Sequence, residues 1–161
     1  MKKMILLTLF GSLLFFAHSR ITFSESNIMS MLTKHDAKAL SGDTSACDDF
    51  ASDLAVSLTA ESAKGRWEVE GGKDEMCGYL KEASAALTVL HVSTSSDFND
   101  VIITRSGFPW MTAEVHYKQR TTITASNLPQ ITSESDDVVQ LKRTLTGLKI
   151  QSVKSHATGG I

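Results

Sequence analysis

Residues 111–118, MTAEVHYK, set Met111, Ala113, Val115 and Tyr117 against Thr112, Glu114, His116 and Lys118. Alternation with a period of two, one side apolar and the other wet, is the pattern of an antiparallel strand resting one face on a core. The neighbouring segments extend it. VIIT at 101–104 reads as a short buried run, and TTITAS at 121–126 continues the meander. Between the first two lies SGFPW, 106–110, where Ser106-Gly107 is a hairpin signal.

Away from this centre the spacing becomes helical. Cys47, Phe50, Leu54 and Leu58 form one stripe, with Asp48 and Asp49 in the favourable first turn and Gly65 as a stop. Trp67 and Val69 alternate with charged neighbours as a short strand before Gly71-Gly72, and Trp67 is expected in the core. A second helix is predicted from Asp74, with Met76, Leu80, Ala83 and Leu87 on one face. Gly78 inside it implies a close backbone contact, because glycine costs about 1 kcal/mol there relative to alanine. From Leu87, LTVLHVS is crowded with β-branched residues. A third helix is predicted with Ser135 or Asp136 as cap, Val138, Leu141, Leu145 and Leu148 as its face and Gly147 as its stop. The tail SHATGGI reads as frayed. The fold class expected is α+β: an antiparallel β-sheet meander with two or three helices packed on one face and one disulfide.

The chain begins MKKMILLTLFGSLLFFAHS. A basic head at Lys2 and Lys3, an apolar run to Ala17 and small residues at Ala17 and Ser19 are the three parts of a secretory signal peptide over 1–19. The run of about 14 residues is shorter than the roughly 20 a membrane span needs; an uncleaved anchor is the alternative. Residues 20–42 lack a strong period and read as a flexible leader, which leaves 43–155 as a single domain. Of 16 basic residues Lys2 and Lys3 would be lost, leaving 14 against 18 acidic ones, a net charge of −4. That balance argues against nucleic acid or an anionic membrane as partner once the signal is cleaved. The expected location is periplasmic. There an even cysteine count points to one disulfide, Cys47 with Cys77.

Catalytic motifs are absent. The histidines have no HxxxH or HExxH spacing, two lone cysteines do not make a tetrahedral metal site, and no GxSxG elbow or phosphate-binding glycine loop occurs. Asp97 with Asp100, or Asp136 with Asp137, could in principle do paired-carboxylate chemistry, but both pairs sit where Asp commonly caps turns and helices. His116 belongs to the solvent side of its strand, as a cross-strand polar contact rather than a ligand. The chain is therefore expected to be neither an enzyme nor a cofactor carrier.

Recognition is what remains. STSSDFND, 93–100, reads as a polar loop, so Ser93, Ser95, Ser96, Asp97, Phe98 and Asn99 are candidate partner contacts with Phe98 as the anchor. The other candidates are Phe108 and Trp110, since exposed aromatics are enriched at interface hot spots; either could instead fold back on the core. A signal peptide, the pair Cys47 and Cys77, a small acidic α+β body and the lack of a catalytic motif together resemble the periplasmic immunity proteins of type VI secretion systems, of the kind that block a muramidase domain carried on a VgrG spike. The resemblance covers the general plan from Met1 to about Val153. It implies an inhibitor that occludes the cleft of a cognate cell-wall hydrolase toxin, as a possible homodimer. The alternative is a periplasmic binding or envelope-assembly module.

Overall fold

The computed structural model describes residues 2–62, 65–90, 93–108, 110–124 and 130–159. Three helices, α1 (Lys2–Thr22), α2 (Glu25–Ser41) and α3 (Lys73–Leu90), accompany six strands: β1 (Phe50–Ser62), β2 (Gly65–Gly71), β3 (Ser93–Ser106), β4 (Thr112–Thr124), β5 (Ile131–Thr144) and β6 (Gly147–Gly159). The strands form one sheet in the order β2-β1-β6-β5-β4-β3. Neighbours are antiparallel except β1 and β6, which run parallel. The last strand thus returns beside the first and closes the sheet's middle.

The α+β class with one disulfide holds. Ala113 and Val115 are fully buried, and the alternation of MTAEVHYK is that of β4, although Met111 at its edge stays 42% exposed. Phe23, Ile28 and Leu32 from the helical layer meet Phe50, Leu54, Val56, Val139, Leu141 and Ile150 from the sheet in one core. Met76 and Leu80 of α3 pack against the same cluster. Cys47, in a 3-10 turn at Thr44–Asp49, is bonded to Cys77 of α3 with the Cα atoms 5.7 Å apart.

Several segments differ from their sequence pattern. Residues 50–62 are strand, not helix. The helical stripe through Cys47, Phe50, Leu54 and Leu58 coexists with an alternation of Leu54, Val56 and Leu58, and hydrogen-bonded neighbours on both sides decide for the strand. A register shift between Phe50 and Ala55 lets Phe50, Ala51 and Leu54 all face inward. The predicted third helix is the hairpin of β5 and β6. Asp137, Val139 and Leu141 point inward at a period of two, Gly147 (φ +121°) makes the turn, and Leu145 projects fully into solvent. The β-branched residues Val138, Val139 and Ile150 suit that arrangement better than a helix. Through Gly159 the tail is not frayed, because β6 stays paired with β5; Gly160 and Ile161 lie outside the described residues.

The leader contains α2, with its two ends sealed. Ser24 accepts from the Asn27 N–H at 3.3 Å, and Gly42, at φ +76°, closes the C-terminus with Asp43 N–H on Lys38 O at 2.9 Å. A side chain at Gly42 would also meet Ser84 Oγ, 2.2 Å from an ideal Cβ. Ile28, Leu32, His35 and Ala39 give α2 a helical stripe that its polar residues mask in the sequence. The predicted second helix is α3, opened by Gly72 N–H donating to Glu75 Oε2 at 2.9 Å. It runs on through Leu90 where a β-rich segment was expected; His91 and Val92 lie outside the described residues. Gly78 faces open space rather than a close neighbour. In VIIT only Val101 and Ile103 turn inward, while Ile102 is 63% exposed. Trp67 lies on the edge strand β2, 43% exposed, its ring 5.7 Å from Tyr79.

Candidate functional site

Helices α2 and α3 roof a cavity of about 190 Å³ against the sheet. Its walls are apolar: Leu32 from α2, Leu80 from α3, Phe98 from β3, Val139 from β5 and Ile150 from β6. Into it α2 brings His35 and Asp36, β4 brings Tyr117 and Gln119, β5 brings Asp137 and β6 brings Ser155. Each polar group occupies an inward register position, so the strand period that fills the core also delivers the chemistry.

Asp36 is held by two strands: Gln119 Nε2 donates to Oδ1 at 2.9 Å and Ser96 Oγ donates to Oδ2. Asp137 is only 6% exposed, and Ser135 Oγ donates to its Oδ2 at 2.7 Å. Burial pushes the Asp137 carboxyl above its ordinary range against the pull of hydrogen bonds from Ser155 and Ser135, and the charges of Asp136 and Asp36 push it further. Burial, then the charges of Asp137 and Asp36, raises the Tyr117 phenol. Burial lowers the His35 imidazole although its Nδ1 lies 3.3 Å from Asp49 Oδ2. Lys38 Nζ is 3.0 Å from the same Asp49 oxygen, and the His35 ring meets Phe50 edge-on at 4.9 Å. No ion pair among the described residues includes Asp36 or Asp137. The cavity is therefore lined by carboxylates without cations.

A larger recess, about 360 Å³, lies around Asn99, Lys118, Arg120, Glu134 and Asp136. Its charges neutralise one another: Arg120 donates to Glu134 across β4 and β5, and Lys118 lies 3.6 Å from Asp100. Among the described residues it holds no buried side-chain polar atom without a hydrogen-bond partner. Among the described residues no cluster of three histidine, cysteine or acidic side chains is placed to hold a metal ion.

The segment expected as a polar loop, 93–100, is the first half of β3. Ser93, Ser95, Asp97 and Asn99 point outward along the sheet's edge, whereas Ser96 and Phe98 point inward. Phe98 is no exposed anchor: it is a cavity wall, its ring edge-on to Tyr117 at 5.2 Å. Pairing with β4 satisfies the backbone groups on the inner side of this edge strand, which is why serines and asparagine here do not make a loop. The two aromatic candidates separate. Phe108 is 90% exposed; Trp110 packs partly against the core, in a left-handed conformation (φ +79°), with Arg20 and Arg105 over its ring at 5.1 and 5.7 Å. Pro109 lies outside the described residues.

Neither acidic pair is built for joint chemistry. Asp136 and Asp137 are successive strand residues and face opposite sides, and Asp100 (φ +53°) marks an irregularity in β3 rather than a cleft. His116 is on the solvent side as predicted, but its contact is with Glu114 of its own strand, at 2.8 Å, and not across strands. Sequence reasoning missed His35, Asp36, Gln119 and Ser155. The signal available was Asp137 itself, an acid at the inward beat of Val139 and Leu141.

No family model matches the chain, and no curated sequence does. Solved structures are similar in fold. An NTF2-like protein with a cystatin-like fold from Novosphingobium aromaticivorans is 15% identical, covers 87% of this chain and 85% of its own, and superposes with a TM-score of 0.65. A putative scytalone dehydratase from the same organism is 14% identical over 81% of each chain, TM-score 0.65. The beta subunit of the benzoate 1,2-dioxygenase from Burkholderia mallei is 10% identical, covering 83% of this chain and 90% of its own, TM-score 0.66. A mixed sheet roofed by helices over an interior cavity is thus the NTF2-like, cystatin-like fold.

Proposed function

We propose that the chain is an extracytoplasmic binding module that holds a small organic cation, a single-ring amine, in the cavity under α2 and α3. The observation that carries this is Asp137, 6% exposed, inside an apolar chamber and paired with no cation among the described residues. A buried carboxylate is costly unless its charge is matched. An ammonium group beside Asp137 supplies the match, and the aromatic rings of Phe98 and Tyr117 line the same cavity. Size agrees: an engineered cavity of about 150 Å³ takes benzene.

The test is calorimetry and thermal shift with benzylamine, benzyl alcohol and toluene on the native chain and on Asp137→Asn. The amine should bind tightest to the native chain and lose that advantage in the variant. If none binds, or the alcohol matches the amine on the native chain, the reading is wrong. The extracytoplasmic half rests on the basic head and apolar run of residues 2–17, and a reporter fusion that stays active only in the cytoplasm would remove it.

The toxin-inhibitor reading stands as a second proposal. It is favoured by the outer row of β3, where Ser93, Ser95, Asp97 and Asn99 border an edge strand with no neighbour beyond it in the sheet. Co-purification with the product of the adjacent gene tests it, and failure to associate rejects it.

A further inference from the structure

We infer that the end of the sheet bearing the β3–β4 and β5–β6 turns is a docking surface for an anionic lipid bilayer, completed when removal of residues 1–19 frees Arg143 and Trp110 from α1. The two turns are side by side: Thr112 pairs with Lys142, and Arg143 N–H donates to Met111 O at 2.9 Å just beyond. From them project Phe108, 90% exposed, Leu145, fully exposed, and Met111, 42% exposed. Apolar side chains on adjacent tips enter a bilayer interface without bringing unpaired backbone with them.

Around this apolar point stand three arginines. Arg20 and Arg105 lie over the Trp110 ring, and Arg143 stands on β5 beside the tip. None of the three forms an ion pair among the described residues. Arginine forks match phosphate oxygens, and tryptophan and phenylalanine favour the headgroup level. The charge is local: the chain without residues 1–19 has a net charge of −4, yet Arg20, Arg105 and Arg143 stand together at this end. Within a screening length of a surface, the nearest charges matter more than the total.

Helix α1 covers the arginine and tryptophan side of this end and leaves the apolar tips exposed. Its Phe15 ring lies under the Arg143 guanidinium at 4.5 Å, and Phe16 stands 6.2 Å from Phe108. His18 Nδ1 is 2.8 Å from Arg143 Nη2, and Ser19 Oγ donates to Trp110 O at 2.8 Å. Under this cover Arg143 Nη1 is buried with no hydrogen-bond partner, an arrangement that costs free energy and is relieved once α1 leaves. Cleavage before Arg20 would also place a new α-amino group among the arginines.

The test uses the exported protein, its N-terminus read by mass spectrometry, sedimented with vesicles of phosphatidylcholine alone or mixed with phosphatidylglycerol. Trp67→Phe leaves Trp110 as the reporting tryptophan. Expected are binding to the anionic vesicles only, a blue shift of Trp110 emission, and weakening by salt. Phe108→Ser with Leu145→Ser should abolish the shift, and Arg143→Gln should weaken binding roughly fivefold. Unchanged melting of the double-serine variant separates docking from folding, since both side chains are exposed. Equal binding to neutral vesicles, no binding to either, or native-like binding by the variants overturns the inference. So does an identified protein partner whose complex is lost in the double-serine variant while lipid binding is absent.

Discussion

Truncating Phe98 and Phe108 separately distinguishes a wall from a tip. Full removal of a buried phenylalanine costs about 3–5 kcal/mol. Phe98 is partly buried, so about half applies, and loss of its edge-on contact with Tyr117 at 5.2 Å adds about 0.5–1.5 kcal/mol. Phe98→Ala should therefore destabilise the chain by about 2–4 kcal/mol, a fall in Tm of roughly 4–16 °C for a chain of this size. Phe108, 90% exposed, should change stability by less than about 0.5 kcal/mol. Urea unfolding of both variants measures this, with an unchanged slope showing that only the midpoint moves. The Phe98 variant should also admit larger ligands to the cavity. If Phe98→Ala melts like the native chain, or Phe108→Ala loses more than about 1 kcal/mol, the assignment of wall and tip is reversed.

Three further outcomes follow from the same packing. Replacing Cys47 and Cys77 together by serine reopens a loop with a sequence separation of 30 and should cost about 3–4 kcal/mol, read by urea midpoint against the native chain under non-reducing conditions. Ile28→Ala, at a fully buried position of α2, should cost about 2–5 kcal/mol; a change below 0.5 kcal/mol would return 20–42 to the status of a leader. Asp137 has a raised folded-state pKa, so its neutral form suits the fold: its contribution is fully present below the unfolded value near 3.8 and is lost as pH rises through the folded value. Asp137→Asn should accordingly flatten that decline, raising Tm at neutral pH relative to the native chain but not at pH near 3; a parallel pair of Tm–pH curves contradicts it.

How much was legible depends on how many faces of a segment are buried. Strand β4 could be read because one side of it is wet, so apolar and polar residues alternate without ambiguity. Strand β1 could not, because neighbours on both edges and a register shift near Phe50 bury residues at spacings that also fit a helix. The hairpin of β5 and β6 misled for a related reason: Val138, Leu141, Leu145 and Leu148 fall at helical intervals, yet Leu145 is at a turn and lies in solvent. Helix α2 was hidden in the opposite way, since two strong apolar residues, Ile28 and Leu32, suffice when Phe23 and the sheet complete the core around them. For the sites, STSSDFND has a loop's composition and a strand's alternation, and pairing with β4 decided between them.

By itself the sequence determined the α+β class, the disulfide between Cys47 and Cys77, the strand at 112–118 and the helix opening near Asp74. These are local periods and counts, and they survive because nothing distant competes with them. Only the tertiary structure decided that β6 lies parallel to β1, that Phe98 faces a cavity, and that Asp36 and Asp137 share that cavity from a helix and a strand about a hundred residues apart. A net charge likewise says nothing of where Arg20, Arg105 and Arg143 meet. The physical reason is common to all of these: period says which residues share a face, and only pairing between distant segments says what that face is turned toward.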